Sequence, residues 1–242
     1  MPLYYLGWGW PLAILALVFS LAASAWTKAT FNRYSKIKSS RNLTGRDVAE
    51  RILHSNQLSG KFGYGHSVRV ERIAGTLTDH YSPKDKVLRL SEGVNDSTSV
   101  AAIGVAAHEC GHAIQDANEF IPNKLRGFLV PVASIGSKFG PWMAIIGILI
   151  TNRLPLSTFG TILFNIGILF FFFAVIFYLV TLPVEINASH RALKILREDN
   201  ILTEEELGGA RKVLTAAAMT YIAAAAAAVI TLIRLLGMRS RR

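Results

Sequence analysis

The amino-acid sequence predicts a mainly α-helical integral membrane protein, with about four transmembrane helices and a small α+β domain exposed to water. Three observations predict it. Hydrophobic residues make up 51% of the 242 residues and charged residues only 17%, against about 25% charged in a typical globular chain. The mean hydropathy is +0.36. The apolar residues are gathered into long blocks, which a soluble core does not accommodate. This composition excludes a disordered chain, a fibrous one and a disulfide-stapled secreted module. The single cysteine, Cys110, permits no internal disulfide and allows a reducing compartment. The net charge of +10 fits cytoplasmic loops rich in Lys and Arg, so the expected partner is the lipid bilayer and not nucleic acid.

The first apolar block runs from about Leu6 to Trp26. Ala23-Ser24-Ala25 resembles a signal-peptide cleavage site, but no Lys or Arg precedes it. Trp8, Trp10 and Trp26 fit interfacial belts, and Lys28, Arg33, Lys36, Lys38 and Arg41 follow. Residues 1–26 therefore read as an uncleaved anchor with its N-terminus outside. The second block, about Phe128 to Ile150, contains Pro131, Lys138 and Pro141 and is the least clean. The third, about Thr158 to Leu182, includes LFFFFAVIFYLV and exceeds the roughly 20 residues that cross a bilayer. Residues 128–183 form the expected hairpin, and 184–212 a helix beyond it. The fourth block, about Val213 to Leu236, is Ala-rich and lies in residues 213–242 with a basic tail. Thr203 and Glu206 stand at capping-box spacing, so its helix starts well before the membrane. This helix is either a span or a helix buried in protein.

Thr27 to Arg126 carries 15 Lys and Arg, and Glu185 to Lys212 carries five, while the loop between the second and third spans has only Arg153. The positive-inside rule puts the two polar parts in the cytoplasm. Four spans would leave Arg239, Arg241 and Arg242 outside, so either the last helix does not fully cross or the tail is an exception.

Within residues 27–127, Thr44 and Asp47 are set to cap a helix over about Gly45 to Ser55, whose apolar face is Val48, Ile52 and Leu53. A Gly-rich turn, Ser59 to Gly65, follows. Val68, Val70 and Ile73 mark one strand and KVLRLS, Lys86 to Ser91, a second, with Pro83 and Asp85 turning the chain before it. Asp96 to Asn118 is an Ala-rich helix that Ser97 or Ser99 can cap.

That helix contains His108-Glu109-Cys110-Gly111-His112, an HExxH motif. Residues i and i+4 share a helix face, so both imidazoles can reach one Zn²⁺ while Glu109 serves as a base toward a water. The flanks, VAAHECGHAI, contain no proline and no other charge, so the region reads as zincin-like and catalytic. A catalytic zinc wants a third protein ligand. The remaining histidines are His54, His66, His80 and His190. Among carboxylates Glu185 stands out, in LPVEINASHRALKI, because the hydrophobic hairpin returns it to the side of His108 and His112. It begins a helix on this reading, where a carboxylate is also favoured by the macrodipole.

VAAHECGHAIQ, LTDHYSPKDKVLRLS and LPVEINASHRAL resemble the YugP-type family of membrane zinc metallopeptidases over nearly the whole chain. More distantly, the sequence is similar to the HtpX/CAAX-prenyl endopeptidase group, whose second motif is Glu-x-x-Ala-Asp. Here Glu185-Ile186-Asn187-Ala188-Ser189 matches it, except that Ser189 replaces Asp. The resemblance implies zinc held by His108, His112 and Glu185, with Glu109 as the catalytic base. The departure removes a carboxylate that would orient a zinc histidine, for which Ser189, Asn187 or Asp116 are candidate substitutes. The function this implies is a membrane-embedded zinc endopeptidase, its site facing the cytoplasm and its partner a peptide or protein substrate. KVLRLS is a candidate to pair with extended substrate, and His190, His80 and Tyr81 are candidates to stabilise the oxyanion. The alternative is a non-proteolytic membrane scaffold with a structural or vestigial zinc site; a structural site, however, has no need of the base Glu109. A transporter is disfavoured, because the spans carry little beyond Lys138, Asn165 and Arg234 as polar groups. No feature of the sequence specifies an oligomeric state.

Overall fold

The structure is a computed structural model that describes residues 9–59, 67–153 and 157–239. Trp8, His66, most of the Gly-rich turn, Arg241 and Arg242 lie outside the described residues. The elements run α1 (Gly9–Tyr34), α2 (Gly45–Ser55), β1 (Arg69–Ile73), β2 (His80–Ser82), β3 (Val87–Ser91), α3 (Glu92–Asn95), α4 (Val100–Ala117), α5 (Ile121–Arg153), α6 (Ser157–Glu198) and α7 (Glu204–Arg239). Among the described residues the protein is mainly α with one small sheet. Two compact units emerge: Met1–Ala23, Leu125–Leu182 and Thr220–Arg242 in one, Ser24–Lys124 and Pro183–Met219 in the other.

In the first unit, α1, α5, α6 and α7 are each long and apolar enough to cross a membrane. Large apolar side chains such as Leu15, Phe128 and Trp142 stand exposed, as they do on a lipid-facing surface. Only 22% of the apolar window of α7 is buried in protein, while its first turns, with Leu207 and Ala210, belong to the core of the second unit. Glycine sets how closely α5 and α6 approach. A Cβ at Gly140 would lie 2.8 Å from the Phe171 Cβ, and one at Gly167 2.6 Å from the Ala144 nitrogen. Small residues thus let the two backbones touch, and dispersion contacts then hold them where the hydrophobic effect cannot.

The second unit has a conventional core, with Ile52, Leu53, Leu88, Leu90, Ile103, Leu196, Ile201 and Leu207 fully buried. Its helix ends follow the sequence signals. The Thr44 hydroxyl accepts from the Asp47 amide and Asp47 accepts from the Thr44 amide, closing a capping box. Ser99 caps α4 by accepting from the Ala102 amide at 3.2 Å. Glu206 accepts from the Thr203 amide at 2.9 Å ahead of α7.

Two expectations are corrected here. The sheet order is β1-β3-β2, with β1 parallel and β2 antiparallel to β3. KVLRLS is thus the central strand, paired on both sides, and has no free edge for a substrate. Its burial pattern explains this: Val87, Leu88, Leu90 and Ser91 are all buried, which is how a strand covered on both faces reads. Nor does Glu185 begin a helix. Pro183 sits inside α6, which continues from Ser157 to Glu198, so the third apolar block and the helix beyond it are one element. Proline removes one backbone donor, but here the helix tolerates that loss.

Candidate metal centre

Helix α4 presents His108, Glu109 and His112, and α6 presents Glu185. Gly111 determines how close the two helices come: a Cβ there would lie 2.7 Å from the carbonyl oxygen of Ala188. With only hydrogen at that position, α4 rests against the α6 backbone. Glu185 is nearly fully buried, and the two histidines are partly open.

The Nε2 atoms of His108 and His112 lie 3.3 and 3.6 Å from one oxygen of Glu185, Oε2. One ligand atom from each of the three residues falls within 4.8 Å of the others. The imidazoles meet edge to face, with centroids 4.7 Å apart. Bond lengths of about 2.0–2.2 Å around a tetrahedral zinc imply ligand–ligand edges of roughly 3.3–3.5 Å. The donor set, two imidazoles and a carboxylate, and its spacing fit zinc. Of the other histidines, His54, His80 and His190 are exposed and no part of this cluster; His66 lies outside the described residues.

The surrounding groups hold the donors. Nδ1 of His108 lies 3.1 Å from the Ser189 hydroxyl. Nδ1 of His112 lies 3.0 Å from Oε1 of Gln115, a fully buried amide. Gln115 donates in turn to the Val184 carbonyl at 2.8 Å and to Asn187 Oδ1 at 3.0 Å. Of the three candidate substitutes for the missing aspartate, Ser189 makes the direct contact and Asn187 acts through Gln115. Asp116 is committed elsewhere, accepting from the Tyr81 hydroxyl at 2.7 Å and from Lys86 Nζ at 2.6 Å. Sequence reasoning missed Gln115. The available signal was a polar residue three positions past His112, on the helix face that the two histidines share.

Glu109 is buried, and its Oε2 accepts from the backbone N–H of Tyr81 at 3.0 Å. Tyr81 therefore meets the site through its amide. Burial, and then the Asp116 carboxylate that accepts its proton, push the Tyr81 hydroxyl far above its ordinary pKa. Cys110, inside the motif, points into the core with its Sγ 3.7 Å from the Ala49 carbonyl. Burial pushes its thiol well up as well, so it is an inert packing group.

Compared with known proteins, residues 10–240 match the family described as "Putative neutral zinc metallopeptidase". The chain is 40% identical over 223 residues to a protein of Bacillus subtilis (strain 168) named "Putative membrane protease YugP", an alignment that covers 92% of each. No solved structure matches significantly.

Proposed function

From the premise that the chain belongs to the "Putative neutral zinc metallopeptidase" family, we propose that it is a multi-pass membrane endopeptidase that hydrolyses peptide bonds with zinc. His108, His112 and Glu185 hold the metal and Glu109 is the general base. The observation that carries this reading is the convergence of three donor atoms within 4.8 Å of one another, on the helix face next to a buried carboxylate. Zinc held there would polarise a scissile carbonyl and make a water acidic enough to ionise near neutral pH.

The chain's own residues supply the rest. The Tyr81 amide holds Oε2 of Glu109, which fixes the carboxylate and leaves Oε1 to take a proton from the attacking water. Glu109 then returns that proton to the leaving amine. Helix α6 brings its carboxylate to the metal from a second element, so the site assembles only when α4 and α6 are packed. The partly open histidines leave an approach for a peptide or protein substrate. The 15 Lys and Arg between Thr27 and Arg126 favour a cytoplasmic site.

The test is metal content and proteolysis of the full chain purified in detergent. The parent protein binds about one zinc, as a three-ligand site should, and cleaves an unfolded protein in a chelator-sensitive way. His108→Ala loses both. Zinc content unchanged by His108→Ala would sink the assignment.

A further inference from the structure

Building on that metal reading, we infer that Gln115 is a positioning residue that sets which nitrogen of His112 carries the proton, through a relay of fixed amide orientations that begins at Arg191. A guanidinium has donors and no acceptor. Arg191 Nε donates to Asn187 Oδ1 at 2.7 Å, which fixes the oxygen end of that amide. The same oxygen accepts from Gln115 Nε2 at 3.0 Å, and Gln115 Nε2 also donates to the Val184 carbonyl at 2.8 Å. Both partners are oxygens, so the Gln115 amide cannot be reversed without setting oxygen against oxygen.

Its own oxygen is thereby aimed at His112 Nδ1, 3.0 Å away. An amide oxygen only accepts, so Nδ1 carries the hydrogen. A neutral imidazole then has its lone pair on Nε2, the atom 3.6 Å from Glu185 Oε2. The tautomer that can bind metal is thus selected before metal arrives. Gln115 is fully buried, and its bond to Val184 also ties His112 to the residue preceding Glu185. His108 has no such relay. Its Nδ1 meets the Ser189 hydroxyl, which both donates and accepts and so selects neither tautomer. The two histidines are therefore unequal: His112 is preset, and His108 sets itself on binding.

The test is the zinc dissociation constant of the detergent-purified full chain, measured by chelator competition with zinc alone as the probe. Gln115→Met keeps volume and removes all three hydrogen bonds; affinity falls about 10–100-fold, the usual cost of losing a group that orients a metal ligand. Ser189→Ala costs less than Gln115→Met. Asn187→Asp keeps an oxygen for both Arg191 and Gln115 and stays within about threefold of the parent, whereas Asn187→Leu falls well beyond that. Rescue by Asp and not by Leu is an outcome that loss of packing alone does not produce. Should Gln115→Met fail to fold, as shown by lost helical dichroism, the Asn187 pair decides, since that residue is only partly buried. Parent-like affinity in Gln115→Met, or equal losses in Asn187→Asp and Asn187→Leu, would overturn the relay while leaving the metal centre standing. A parent protein that binds no zinc would overturn the centre and the relay with it.

Discussion

Gly111→Ala is a small change with a calculable effect. The new Cβ would sit 2.7 Å from the Ala188 carbonyl oxygen and 3.2 Å from its C and Cα. Ordinary contact begins near 3.4 Å, so α4 and α6 must part by several tenths of an ångström. Neither neighbour is a flexible side chain that can swing aside. Two terms oppose each other: alanine favours a helix over glycine by about 1 kcal/mol, and overpacking costs about 1–3 kcal/mol. The balance is a loss of up to about 2 kcal/mol. The metal is affected more than the fold. His108 and His112 ride on α4 and Glu185 on α6, and a site tolerates about 0.5 Å of misplacement. Zinc affinity should fall by about tenfold or more, as when a supporting group is lost, with the zinc-free melting temperature lowered by only a few degrees. Chelator competition and thermal melting with and without zinc measure the two terms. A variant that melts higher than the parent and binds zinc equally well would refute the close-approach argument.

Other outcomes follow from the same contacts. Glu185→Gln should weaken zinc retention and proteolysis together, since it removes the charged donor of the centre; metal analysis and a cleavage assay on one preparation check it. Tyr81→Phe removes the hydroxyl that donates to the Asp116 carboxylate and should cost about 1.5–3 kcal/mol of stability, while Glu109, held by the Tyr81 backbone, keeps its contact; denaturant unfolding measures this. Cys110 should resist maleimide in the folded protein and react on denaturation, which mass spectrometry reads directly. Single cysteines placed on exposed positions between Thr27 and Arg126, in a Cys110→Ala background, should escape an impermeant reagent in intact cells; labelling there would reverse the proposed orientation.

Features that local chemistry dictates were legible in the sequence. The caps at Thr44 and Ser99, the strand around Val70, KVLRLS as a strand and the four apolar blocks all follow from spacing and residue type. The i,i+4 histidines are a property of one helix and read equally well. What required the fold was non-local. The strand order depends on β2, whose three residues, His80–Ser82, are too few to show alternation, so spacing alone leaves KVLRLS free to pair with substrate. The end of the third apolar block puts a helix start at Glu185, yet Val184, Glu185 and Ala188 are buried along one helix that runs unbroken through Pro183. Gln115 and the Tyr81 amide act across elements, on Asn187 and on Glu109, and no spacing rule announces a partner 72 or 28 residues away.

Zinc content and proteolytic rate on the same sample of Glu109→Gln most directly test whether Glu109 is the base of a zinc peptidase. This substitution keeps size and removes the base, and it leaves His108, His112 and Glu185 untouched. Loss of a general base costs about 10²–10⁴-fold in rate, some 3–5 kcal/mol of barrier. The expected result is a full zinc complement with cleavage of an unfolded protein nearly abolished. A zinc-loaded Glu109→Gln protein that cleaves as fast as its parent would contradict it.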